Sequence, residues 1–171
     1  SKGWDVALNR TLTVAMFYDY TNERIVCFFN THFDHVGNIA RTESAKFLRE
    51  IVTEYSGKYP AVITGDFNFT EDSDGYDILT SDEFKVENPI DDFQYKPLVN
   101  SKYISEKPHT GGDTTFNAFG KETDIKSAID FIFVNDKVKV LTHQTITDML
   151  EGLFPSDHYP VFVELLFKGS K

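Results

Sequence analysis

The chain has 171 residues, 40% of them hydrophobic and 26% charged, with a formal net charge of −10. That length suits one domain with a real core, and the composition excludes a disordered chain. No run of about 18 apolar residues is present to cross a membrane, and the acidic balance excludes a protein that coats nucleic acid through basic residues. It leaves phosphate substrates open, because a bound cation can supply the local positive charge.

Residues 1–10 contain no apolar signal-peptide core, so localisation stays open. Residues 11–20 partly alternate and are rich in β-formers, which predicts a strand; residues 21–23 form a turn. Residues 24–30 make a second, more apolar strand, expected to pair antiparallel with the first. It holds the sole cysteine, Cys27, read as a buried thiol without an intrachain partner. Between Gly37 and Gly57, the positions Ala40, Phe47, Leu48, Ile51, Val52 and Tyr55 recur at steps of three and four, the signature of an amphipathic helix. Residues 60–65 are short and β-branched, so strand, helix and strand read as a βαβ unit. Residues 74–81 suit a short helix, residues 95–113 a long loop, and order returns at 114–119. Residues 128–135, 137–147 and 159–167 complete the strands. The class is mixed α and β with a substantial antiparallel component.

Four polar clusters attend these strands, where a rigid scaffold presents reactive groups. They are Thr31, His32, Asp34 and His35; Asp66 and Asn68; Asp130, inside an apolar run; and Asp157 with His158. Alone, "GDFN" reads equally as a turn and "SDHYP" as a surface loop closed by Pro160. Asp130 is different: between Ile129 and Phe131, its carboxylate needs a cation, a histidine or a metal beside it. Together the clusters supply hard oxygens for a divalent cation such as Mg²⁺, a carboxylate to take a proton from water, and imidazoles to meet a developing oxyanion. No Walker loop, structural-zinc set or G-x-S-x-G motif competes with them.

"NTHFDH", "GDFN", "IDFIFV" and "SDHYPV", in that order, resemble the endonuclease/exonuclease/phosphatase superfamily, with its deoxyribonuclease I-like fold. The resemblance implies a β-sandwich of two mostly antiparallel sheets flanked by helices, in the α/β (α+β) class. Residues 1–171 then form one domain, the C-terminal portion of the family's. It implies a metal-dependent hydrolase of phosphate esters, using Mg²⁺ or Mn²⁺. The substrate is a small phosphodiester, a phosphorylated sugar, a lipid headgroup or nucleic acid.

Carried over residue by residue, the resemblance makes His32 a phosphate-side histidine, Asp66 the residue that activates water, and Asn68 its partner at the scissile phosphate. Asp130 pairs with His158, the second phosphate-contacting histidine; Asp157 resembles a metal ligand; Arg10 helps to hold phosphate. Asp34 and His35 are expected at the rim, and Asn30 orders the strand end. Phe116, with Phe119, either contacts substrate or packs. The family's first segment, with a metal-binding glutamate and the carboxylate expected to partner His32, has no counterpart here. The chain alone is therefore expected to be inactive or impaired. A non-catalytic binding module that kept the scaffold is the alternative.

Overall fold

A computed structural model describes residues 3–85 and 96–168. Strand β1 (Leu12–Asp19) and strand β2 (Arg24–His32) form an antiparallel hairpin. Helix α1 (Asn38–Ser56) then returns the chain to β3 (Ala61–Asp66), which lies parallel to β2, so the expected βαβ unit forms. After α2 (Asp74–Thr80) come the two-residue strand β4 (Val99–Asn100), the single-turn helix α3 (Ser101–Ile104) and a 3₁₀ turn (Ala118–Gly120). Strands β5 (Asp130–Val134), β6 (Val138–Thr145) and β7 (Val161–Phe167) follow. One sheet has the order β1-β2-β3-β5-β4 and the other pairs β6 with β7. The sandwich, its helices and its antiparallel bias are as expected, β2–β3 being the parallel pair.

The two-residue period of the strands separates two cores. Cys27 and Phe29, Ala61 and Ile63, and Phe131 and Phe133 point toward the helices, where they meet Ala45, Leu48 and Val52 of α1 and Leu79 of α2. The alternate residues Phe28, Val62, Ile132 and Val134 point the other way, onto Val138 and Val140 of β6 and Val161 and Val163 of β7. A central strand of this sheet is therefore apolar on both faces and polar only at its end.

The long loop expected over 95–113 is corrected within the described residues; Tyr95 lies outside them. Asn100 caps α3 by accepting the Lys102 N–H at 3.0 Å, its amide donates to the Tyr76 hydroxyl at 3.2 Å, and Leu98 N–H donates to Leu79 O at 3.0 Å. An N-cap asparagine followed by serine was the available signal. The 114–119 stretch orders through a backbone bridge from Phe116 to His158 and a 3₁₀ turn, not as a regular strand.

Gly65 marks a close approach of two strands beside the polar strand ends. It pairs with Thr31 across β2 and β3, and a Cβ added there would collide with the Thr31 carbonyl oxygen. Gly65→Ala should therefore lower stability by about 1–3 kcal/mol, the usual cost of overpacking. A urea titration should show a lower midpoint with an unchanged slope; an unchanged midpoint would contradict the close packing.

Candidate active site

The site is a row drawn across three strands. His32, the last residue of β2, is the register partner of Asp66, the last residue of β3, and Asp66 is the partner of Asp130, the first residue of β5. Asp130 thus opens its strand, and does not lie inside it as the apolar run suggested; its side chain keeps 21% exposure. His158 closes the row from the segment before β7. Its Nδ1 donates to Asp130 Oδ2 at 2.8 Å, and its Nε2 lies 3.8 Å from Asp66 Oδ2. His32 Nε2 approaches that same Asp66 oxygen to 3.3 Å. Among the described residues, Asp66 is the carboxylate that faces the His32 imidazole.

Local sequence explains why "GDFNF" presents these groups. Phe67 and Phe69 are buried in the helix-side core, where their rings sit 5.4 Å apart against Phe33 and Phe131. Asn68 between them adopts φ 51°, a left-handed conformation that asparagine tolerates better than most residues. Its N–H donates to Asp66 Oδ1 at 2.9 Å and its Nδ2 to the Phe33 carbonyl at 3.0 Å. The two phenylalanines anchor the turn, and the hydrogen bonds orient Asp66.

A second support escaped the sequence reading. The buried Thr115 accepts from the Ile129 and Asp130 N–H groups, both at 3.0 Å, and also hydrogen-bonds the Asp130 carboxyl. Its carbonyl takes the Tyr159 N–H at 2.7 Å, so one residue ties both sides of the Asp130–His158 pair. The available signal was a threonine beside Phe116. The Phe116 ring packs edge-on against the His158 imidazole at 5.0 Å, bracing it, while Phe119 stays exposed.

Burial alone would lower the His158 pKa. The Asp130 hydrogen bond, with the charges of Asp130, Asp66 and Asp157, outweighs it and raises the imidazole above its ordinary value. Burial pushes the Asp130 carboxyl up, against the pull of its Thr115 and His158 hydrogen bonds. The shared proton rests on His158, the more basic partner by its ordinary chemistry.

Asp34 corrects the expectation of a rim residue. It is buried, and its carboxylate accepts from the N–H groups of Gly37 (2.8 Å), Val36 (2.9 Å), Ala7 (3.0 Å) and Leu8 (3.0 Å). Those bonds, Gly37 and Leu8 foremost, hold its carboxyl well below the usual carboxylate range. Four donors need an inward acceptor, so Asp34 clips the N-terminal segment to the start of α1. Arg10 serves the same corner, with Nε 3.9 Å from Asp34 Oδ2 and Nη2 3.1 Å from His35 Nδ1; His35 is exposed, as expected of the rim. Asn30 ties β2 to β3 by donating to Thr64 Oγ1 at 2.8 Å.

Among the described residues, ligating atoms of Asp66, Asp130 and His158 lie within 4.8 Å of one another. Asp157, expected as the metal ligand, falls outside this group. Its carbonyl accepts the Asn117 and Ala118 N–H groups at 2.8 and 3.1 Å, and its carboxylate faces the Ser156 hydroxyl at 3.4 Å, so it shapes the turn and acts on His158 through its charge. Two carboxylates and two imidazoles at this spacing can orient a water, hold a cation and donate to an anionic group.

A model described as "Endonuclease/Exonuclease/phosphatase family" matches residues 6–158. An endonuclease/exonuclease/phosphatase structure from Bacteroides vulgatus is 35% identical, with a TM-score of 0.83 over 98% of this chain and 59% of its own. The Bacteroides thetaiotaomicron mannosyl-6-phosphatase is 33% identical, with a TM-score of 0.79 over 98% of this chain and 61% of its own. D. rerio TDP2 complexed with a single-strand DNA product shares the fold at 14% identity, with a TM-score of 0.68 over 95% of this chain and 64% of its own. No curated protein matches the sequence. The chain spans about three fifths of the length of the two bacterial relatives.

The pairing of His158 with Asp130 has a measurable sign. A folded-state imidazole more basic than the unfolded one, near pH 6.5, contributes stability that is fully present below that pH and lost as pH rises through the folded value. Asp130→Asn should lower the His158 pKa in an NMR titration and flatten this dependence; an unmoved pKa would refute the pairing.

Proposed function

The chain belongs to the endonuclease/exonuclease/phosphatase family, and from that premise we propose that its site hydrolyses a phosphate ester with the help of a divalent cation. The observation that supports this most is the row His32, Asp66, Asp130 closed by His158, which sets both imidazoles against one carboxylate oxygen. The bacterial relative named as a mannosyl-6-phosphatase supports the same type of bond.

In this reading water attacks phosphorus in line with the leaving alcohol. The new P–O bond forms as the ester P–O bond breaks, and the alcohol departs with a proton. Asp66 takes the proton of the attacking water or orients it, and Asn68 holds Asp66 through its N–H. His32 and His158 donate to the phosphoryl oxygens as negative charge builds on them, and Asp130 keeps His158 protonated. The Asp66 and Asp130 oxygens suit a hard cation, Mg²⁺ or Mn²⁺, which when bound would neutralise phosphate charge. Asp157 adds negative potential to that site without entering the ligating group. Arg10 steadies the His35 corner, and we propose that it meets substrate through that corner.

We propose that a further segment covers one edge of the sheet. Met16, Phe17 and Tyr18 are exposed on β1, which is an edge strand of the five-stranded sheet, and Tyr20 is exposed just beyond it. Apolar side chains on an open edge suit a covering strand.

Two outcomes test this reading. In the parent protein, Asp66→Asn and His158→Ala should each reduce hydrolysis of bis-p-nitrophenyl phosphate by about 10²–10⁴-fold. EDTA should abolish turnover and Mg²⁺ or Mn²⁺ restore it; normal rates in either variant would sink the assignment. The 171-residue chain alone should be inactive or severely impaired in the same assay, and turnover near the parent's rate would remove the need for a further segment.

A further inference from the structure

Beside the row lies an open groove of about 960 Å³, at the upper end of the range for small-molecule sites. Asn68 and Ile129 belong to its wall, and each is next to a part of the row: Asn68 bonds Asp66, and Ile129 precedes Asp130. A phosphate held at the row would extend the rest of its ester into this space. We infer that the groove receives the alcohol half of the ester, and that this alcohol is an uncharged polyol, a sugar, rather than a nucleic-acid strand. The inference rests on the phosphate-ester reading above.

Charge carries the first part of the argument. The groove is lined by Glu71, Asp72, Asp74, Asp113 and Asp124, against Arg41, Lys102 and Lys126. Two of those cations are already engaged: Lys102 Nζ lies 2.8 Å from Asp113 Oδ1, and the Arg41 guanidinium donates to the Asp34 carbonyl at 3.0 Å and to the Asn38 side chain. A strand with one negative charge per nucleotide gains its affinity from free Lys and Arg, so a wall with more carboxylates than cations repels it. Sugar hydroxyls gain from the same wall, because an ionised carboxylate is a strong acceptor and charge-assisted hydrogen bonds are the stronger kind.

Shape and surface carry the second part. Single-strand binding relies on aromatic rings on which successive bases stack. In this wall Phe69 is buried in the core, which leaves as exposed rings among the described residues Tyr103 and the His35 imidazole, the latter engaged by Arg10 at 3.1 Å. Tyr103 is held in place by its hydroxyl, which donates to Glu71. The fixed Tyr103 ring bordered by carboxylates, with His35, Asn38, Thr42 and Thr70 as further polar groups, matches a single sugar ring with one apolar face and a polar edge.

The test is calorimetric titration of the 171-residue chain in Mg²⁺ with inorganic phosphate, ethyl phosphate, a hexose 6-phosphate and a short oligothymidylate. The hexose phosphate should bind at least about tenfold more tightly than ethyl phosphate, the scale of one hydrogen bond to a charged group. Asp72→Asn combined with Asp124→Asn should bring the hexose phosphate down toward ethyl phosphate. If inorganic phosphate binds but the hexose phosphate gains nothing over ethyl phosphate, the groove assignment falls and the phosphate reading stands. Tighter binding of the oligothymidylate, or tighter hexose phosphate binding by the double variant, overturns the assignment in the same way. If none of the four ligands binds, the groove assignment falls.

Discussion

Two carboxylates that would repel one another are held side by side at the end of a sheet. Asp66 and Asp130 are register partners on β3 and β5, and like charges placed opposite one another on adjacent strands are destabilising. The surrounding structure offsets that repulsion. His158 donates to Asp130, His32 approaches Asp66, the Asn68 N–H takes the remaining Asp66 oxygen, and Thr115 bonds the Asp130 carboxyl. A pair so supported carries concentrated negative potential that stays available to a cation or a proton. The chemistry and the cost have one origin.

The support is deep as well as local. The turn carrying Asp66 and Asn68 is pinned by Phe67 and Phe69, whose rings belong to a cluster running through Phe33, Phe131 and Phe133. Those residues alternate with Val62, Ile132 and Val134, which grip the second sheet. A shift of one residue in β3 or β5 would exchange the two cores and turn the carboxylates away from one another, so apolar packing on both faces sets the register of the polar row.

Much of this was legible in the sequence, and the reasons differ by element. The βαβ unit could be read because its helix has a clean three- and four-residue period and its strands are short and β-branched. The row's members could be read because ionisable groups stand out at the ends of apolar runs. The strand order could not be read, so the His32–Asp66–Asp130 alignment appeared only with the fold. Asp34 was misplaced because one letter does not tell a carboxylate facing water from one facing four backbone N–H groups. Thr115 was passed over because its partners, Asp130 and Tyr159, are distant in sequence and its own neighbourhood carries no ionisable cluster. β4 and α3 were missed because elements of two and four residues have too little period to detect.

The order in which the row's members occur along the chain has a consequence for synthesis. His32 and Asp66 belong to a hairpin and βαβ unit that can pair soon after emergence, Asp130 follows with β5, and His158 arrives just ahead of the final strand. Until β6 and β7 are made, the face of Val62, Ile132 and Val134 has no second sheet to cover it. A nascent chain that stalls before residue 158 therefore carries two neighbouring carboxylates without the imidazole between them, above an apolar surface open to solvent. Domains generally fold as units during translation, and uncovered apolar faces invite aggregation. The segment from His158 through β7 thus brings together the imidazole that balances the two carboxylates and the last part of the cover for that apolar face.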